Sequence, residues 1–146
     1  MIEDALLDII VIGKNESKVL SNTFESINKS ICIVKDKLDT IPNIIYIDSR
    51  STDNSVEIAR SYGIKTIIVD GECSAGIARN LGAKNTSSKY IFFLDGDTQV
   101  EKSWLVNAID FLKEKPNCAG VGGQLSYNIF NSSSELVWQN SNYWGN

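Results

Sequence analysis

Apolar residues gather in short, β-rich runs at Asp8–Ile12, Ile44–Ile47, Thr66–Val69 and Tyr90–Leu94, with a weaker run at Ala119–Gly123. Each is about strand length, and their near-continuous hydrophobicity is the pattern of strands covered on both faces. The stretches between them carry helical spacing instead: Val19–Ile27, Val56–Tyr62, Ile77–Lys84 and Leu105–Leu112. The order β-α-β-α-β-α-β-α-β predicts an α/β fold, a Rossmann-like and mostly parallel sheet with helices on both faces. Local punctuation agrees. Ser51 or Asp53 can cap the second helix, Gly63 stands where its end needs a left-handed residue, and Pro116 terminates the fourth. The last stretch, Ser126–Asn146, mixes aromatic residues with Ser and Asn and shows no period.

Length changes this picture little: 146 residues without a linker or internal repeat predict one domain, 1–146. Charge excludes one class of partner. The net charge of -4 comes from 18 acidic and 14 basic residues spread along the chain, so no basic face is available to nucleic acid. An anionic ligand stays compatible with this balance if carboxylates hold a divalent cation against it. Cys32, Cys73 and Cys118 form no CxxC pair, and with no histidine there is no zinc site, so the thiols read as reduced. The acidic start is unlike a signal peptide, and Ile9–Ile12 is too short to cross a bilayer. A cytoplasmic location without a membrane segment is expected, with membrane association left to whatever a longer parent protein adds.

In an open parallel sheet, ligands bind beyond the carboxyl ends of the strands. Residues that directly follow the strands here are polar: Lys14, Asn15 and Glu16; Asp48, Ser49 and Arg50; Asp70 and Gly71; Asp95, Gly96 and Asp97. The run Phe92-Phe93-Leu94-Asp95-Gly96-Asp97 delivers two carboxylates separated by one glycine. Their repulsion calls for a partner, and a hard cation with open positions for phosphate oxygens meets that need. A plain turn capped by the two aspartates is the competing reading. Asp48 at a strand tip can accept from a base N–H or a ribose hydroxyl, whereas Asp53 reads better as a helix cap. Gly76-Ile77-Ala78-Arg79-Asn80 opens a helix with small residues, and Arg79 offers a planar fork to phosphate, unless it is merely solvated.

Taken in order, Ile10-Val11-Ile12-Gly13-Lys14-Asn15-Glu16, Ile47-Asp48-Ser49-Arg50-Ser51-Thr52-Asp53, Gly76-Ile77-Ala78-Arg79-Asn80 and Phe93-Leu94-Asp95-Gly96-Asp97 resemble the amino-terminal half of family 2 glycosyltransferases of GT-A fold. The resemblance implies that Asn15 and Glu16 lie near the nucleoside, that Asp48 contacts the base and that Gly76 and Arg79 lie near the nucleotide. It also implies that Asp95 and Gly96 face the ribose or sugar, and that Asp97, with Asp95, ligates Mn2+ or Mg2+. Two positions depart from the family: Gly13 and Lys14 replace its usual proline and tyrosine, and Ser49 replaces the second of its paired aspartates.

The activity so implied is metal-dependent, inverting transfer of a sugar from a nucleoside-diphosphate donor to the hydroxyl of an acceptor whose identity the residues leave open. A general base is also required, and in the family it lies past the strand that is expected here near Ala119. Beyond that strand only Glu135 is acidic, and its Ser-rich surroundings do not fit the role. The chain is therefore expected to be a truncated or naturally short form that lacks the base and most of the acceptor site. A non-catalytic nucleotide-binding module is the alternative, with Trp138, Tyr143 and Trp144 suited to a surface that something else covers. Phosphatase chemistry is disfavoured because its carboxylates would follow the first strand, and neither a Walker A loop nor GxGxxG is present.

Overall fold

The structure is a computed structural model that describes residues 6–130 and 136–140. Its elements are β1 (Leu7–Gly13), α1 (Leu20–Leu38), β2 (Asn43–Asp48), α2 (Ser55–Ser61), β3 (Lys65–Ile68), α3 (Ala75–Ala83), β4 (Tyr90–Asp95), α4 (Trp104–Glu114), β5 (Ser126–Phe130) and β6 (Leu136–Asn140). The chain divides into two units, Met1–Phe111 and Leu112–Asn146. In the first, four parallel strands form a sheet in the order β3-β2-β1-β4. In the second, β5 and β6 pair antiparallel. Among the described residues no helix is long and apolar enough to cross a membrane.

Central placement of β1 explains its composition. Successive side chains of a strand point to opposite faces. Leu7, Ile9 and Val11 enter one core with Leu20, Phe24, Ile27 and Val34 of α1, Ala59 of α2 and Leu105, Val106 and Ile109 of α4. Ile10 and Ile12 enter the other core with Ile45, Ile47, Val69 and Ala78 of α3. Helix α3 lies so close to the sheet that a Cβ at Gly82 would fall on Ile10 Cγ2. The end of α2 follows from Gly63, which adopts φ 71° and donates to Arg60 O at 2.9 Å while Ile64 N donates to Ala59 O at 3.2 Å. This is a Schellman closure, and it requires a left-handed residue at that place.

Three expectations are corrected. Helix α1 runs to Leu38, well past Ile27, because the buried stripe Leu20, Phe24, Ile27 continues at Val34 and takes in Ser26 and Ser30. Those serines carry their own partners: Ser26 Oγ donates to Thr23 O and accepts from Val100 N, and Ser30 Oγ donates to Lys102 O. Ala119–Gly123 forms no strand, and the run from Gly120 to Leu125 is exposed. Strand pairing begins instead at Ser126, in the stretch where no period was visible. Helix α4 does stop before Pro116, as expected, and Cys118 N closes a turn on Lys115 O at 2.8 Å. Glu135, Tyr143 and Trp144 lie outside the described residues.

Replacement of Gly82 by Ala should overpack the contact between α3 and β1. A loss of about 1–3 kcal/mol is expected, read as a lower urea midpoint with an unchanged slope.

Candidate active site at the carboxyl edge of the sheet

Strand register puts the chemically interesting residues on one edge. Gly13 stands opposite Asp48, Ile12 opposite Asp95, and Asp48 opposite Ile68. The backbone then extends this alignment into the loops: Ser49 N donates to Gly13 O at 2.9 Å, Gly96 N to Ile12 O at 2.8 Å and Val69 N to Asp48 O at 2.8 Å. All the loops that follow the four strands therefore leave the sheet from the same side.

The Asp95-Gly96-Asp97 turn is anchored through its glycine. Gly96 O accepts from the buried Thr23 Oγ1 of α1 at 2.7 Å. A Cβ on Gly96 would meet Ile12 O at 3.2 Å and Glu16 Cγ at 3.3 Å, so the position favours a residue without a side chain. The flanking carboxylates stay exposed. Asp95 Oδ1 pairs with Arg79 Nη2 at 2.7 Å, the one salt bridge among the described residues. Asp97 Oδ1 accepts only a long bond from Thr98 Oγ1, at 3.3 Å. Glu16 lies against this turn, and its carboxyl is pushed above the ordinary range by burial first, then by the charges of Asp97, Asp53 and Asp95. Negative charge from three loops thus gathers here, opposed by Arg79.

Asn15 and Glu16 sit in the β1–α1 loop, which is laced to the β2–α2 loop. Asn15 has a left-handed φ of 58°, its N–H donates to Ser51 Oγ at 2.8 Å, and its Oδ1 accepts from Thr52 N at 2.8 Å. Glu16 N donates to Ser55 Oγ at 2.9 Å, and Ser17 N to Asp53 Oδ2 at 3.0 Å. Asp53 Oδ1 accepts from Ser55 N and Ser55 Oγ, at 3.0 and 2.6 Å. Asn54, not Asp53, is the N-cap of α2; from one residue earlier Asp53 braces the helix start through Ser55 and also reaches across to the first loop. Ser51 makes no cap; it bridges Asn15 and Asp48 instead.

Asp48, expected to contact the base, is buried at the strand tip. Only 1% of it is exposed, and its carboxylate accepts from Ser51 N at 2.8 Å, Ser51 Oγ at 2.5 Å and Tyr46 Oη at 3.2 Å. A carboxylate at a strand tip reads as a ligand from sequence alone, but here the tip curls back and the charge is spent on ordering its own loop. Arg50, at φ 62°, closes the next gap by donating from Nη1 to Gly71 O at 3.3 Å. Gly76 lies in the first turn of α3 and is exposed, with nothing nearer its would-be Cβ than Ser74 Oγ at 3.9 Å. Ser74 caps that helix by accepting from Ile77 N at 3.1 Å. Tyr46, Thr23 and Ser55 were not singled out from sequence, although a hydroxyl-bearing residue inside the aliphatic run Ile44–Ile47 is a signal. A separate groove of about 530 Å3 lies at the opposite edge, beside Ile41, Pro42 and Lys65, and none of the converging loops lines it.

Hydrogen bonding from the Ser55 side chain, reinforced by Ser17, holds the Asp53 carboxyl well below its ordinary value of 3.8. A depressed folded-state value means that the stabilisation is complete above the ordinary value and is lost as pH falls through the folded one. Asp53→Asn should therefore lower the urea midpoint at about pH 7, and its gap from the parent chain should narrow steadily below about pH 4.

The chain is similar to known proteins in sequence and in fold. The chain is 26% identical over 103 residues to the putative teichuronic acid biosynthesis glycosyltransferase TuaG of Bacillus subtilis, covering 67% of this chain and 40% of that one. It is 38% identical over 65 residues to the uncharacterized glycosyltransferase YibD of Escherichia coli, covering 42% of this chain and 19% of YibD. Among solved structures, S. aureus TarS 1-349 superposes with a TM-score of 0.64 at 20% identity, over 84% of this chain and 40% of that one. Glucosyl-3-phosphoglycerate synthase from Mycobacterium tuberculosis, solved with Mn2+, UDP and glucosyl-3-phosphoglycerate, superposes at 0.56 with 22% identity, over 84% of this chain and 42% of that one. The chain thus spans less than half the length of these relatives, and the superpositions show that its fold is of the GT-A kind. Residues 8–144 match the family described as Glycosyl transferase family 2, and the chain belongs to that family.

Proposed function

We propose that the carboxyl edge of the sheet binds the nucleoside diphosphate of a sugar donor and that the whole protein transfers that sugar, with inversion, to an acceptor hydroxyl. The observation that carries this reading is the anchored Asp95-Gly96-Asp97 turn, which holds two exposed carboxylates beside Arg79 and Glu16. UDP in the solved structures of TarS and of glucosyl-3-phosphoglycerate synthase supports a nucleotide donor, and Mn2+ in the latter supports a divalent cation. The three cysteines are free thiols, which suits the cytoplasm.

The residues present fit a cation that is shared with the ligand. Among the described residues no group of three or more acidic, cysteine or histidine side chains is arranged to hold a metal alone. Mg2+ and its analogues are commonly held by one or two carboxylates, with phosphate oxygens and water completing the shell. Asp97 is the freer ligand, and Asp95 has one oxygen committed to Arg79. When bound, the cation supplies Lewis-acid stabilisation of charge on the leaving diphosphate. Arg79 presents its planar donor fork to the same phosphates. Asn15, Glu16 and the loop that Asp48 orders face the nucleoside, and Gly76 leaves the start of α3 open. In the transfer itself, the acceptor oxygen bonds to the anomeric carbon as the bond to the diphosphate breaks. The acceptor proton passes to a carboxylate base that the described residues do not assign.

A nucleotide-binding module that relies on additional chain for transfer is the second reading, favoured by the chain's span of 40% of TuaG and TarS 1-349. Donor binding is common to both readings and is tested first. Calorimetric titration should show UDP or GDP binding that tightens with Mn2+, while Mn2+ alone binds weakly. Asp97→Ala should weaken the Mn2+-dependent binding by ~10-fold or more, a loss of the size seen when a metal site is compromised. Binding indifferent to Mn2+ and to this substitution would remove the proposed cation site. Robust sugar transfer by residues 1–146 would exclude the second reading.

A further inference from the structure

We infer that Tyr46 is a positioning residue for nucleoside recognition: its hydroxyl, seated in space that Gly13 leaves empty, holds Asp48 inward so that the β2–α2 loop, and not the Asp48 carboxylate, meets the base. This inference rests on the nucleotide-binding reading of the site.

Tyr46 is the one polar-tipped residue in an otherwise aliphatic stretch of β2, and it is fully buried. Its ring packs edge-on against Phe24, with centroids 6.1 Å apart at 90°. The hydroxyl reaches the strand tip and donates to Asp48 Oδ1 at 3.2 Å. A Cβ on Gly13 would stand 2.9 Å from that hydroxyl, 3.2 Å from ring carbon Cε2 and 3.2 Å from Glu16 Cγ, so any side chain at position 13 would crowd it. Gly13 and Tyr46 are thus complementary, one supplying the room and the other filling it.

Filling that room has a chemical result. A carboxylate offers about four acceptor sites, and Asp48 has three hydrogen bonds placed on it, two from Ser51 and one from Tyr46. Without the Tyr46 bond, the buried carboxylate would be held only from the Ser51 side, with nothing to fix it on the side of the sheet. With it, Ser51 is pinned, and Ser51 in turn receives the Asn15 N–H at 2.8 Å. Tyr46 therefore bears on both loops placed against the nucleoside and makes no hydrogen bond to Arg79 or Asp95.

The test is calorimetric titration of UDP, GDP and inorganic pyrophosphate, each with Mn2+, against the parent chain, Tyr46→Phe, Gly13→Ala and the double variant. Tyr46→Phe should weaken nucleotide binding about three- to tenfold, the order expected for one lost hydrogen bond, and should shrink the parent's preference between UDP and GDP. Pyrophosphate binding should change less than about twofold, because the diphosphate end does not depend on this hydroxyl. Gly13→Ala, whose Cβ would press on the hydroxyl and on Glu16 Cγ, should weaken nucleotide binding at least as much and can be read even if Tyr46→Phe fails to fold. The double variant should be no worse than Gly13→Ala, since the two changes act on the same contact. Nucleotide affinity unchanged in both single variants, or lost in parallel with pyrophosphate, overturns the positioning role while the site stands. A parent chain that binds neither nucleotide nor pyrophosphate removes the site and this inference together.

Discussion

Two successive carbonyls at the end of β1 govern the arrangement of the site. Ile12 O receives Gly96 N, and Gly13 O receives Ser49 N. Consecutive carbonyls of a strand point to opposite neighbours, so one strand end fixes the first residues beyond β4 and beyond β2 at the same height. Everything that follows depends on this: the acidic turn on one flank, the Asp48 loop on the other, and the β1–α1 loop between them. A strand buried on both faces is what gives those carbonyls a rigid base.

Charge is arranged unevenly around that base. Glu16, Asp95 and Asp97 cluster, Arg79 compensates one of them, and burial makes Glu16 the reluctant anion. Asp53 lies nearby but is supplied with donors from Ser55 and Ser17, so its charge is held comfortably. The contrast separates two uses of a carboxylate. One kind is saturated with hydrogen bonds and builds the loops; the other is left short of partners and is available to a cationic or polar ligand.

Much of the first unit is legible in the sequence because strand and helix periods differ and because β1, β2 and β4 each carry a near-continuous apolar run. β1 through α4 appear in the expected order, and the loops that gather at the edge are those whose polar residues follow the strands. What escapes is set by contacts that local patterns do not encode. Ser26 and Ser30 break the apolar stripe of α1 yet are buried, since distant backbone groups satisfy them. Ala119–Gly123 holds three glycines and a single β-branched residue and forms no strand, whereas Ser126–Phe130 carries Tyr, Ile and Phe among its polar residues and does pair. Asp48 looks like a ligand until Tyr46 and Ser51, two and three residues away, are seen to fold back on it. Ser51, one of the two candidate caps, escapes for the same reason: its hydroxyl joins Asp48 to Asn15 on another loop.

The peptide groups on both sides of Gly96 are already committed, the N–H to Ile12 and the carbonyl to Thr23. Glycine usually brings backbone looseness to a turn, but here that looseness has been extinguished during folding. The backbone between the two carboxylates is therefore ordered by the fold itself, before any encounter, while the carboxylates stay exposed.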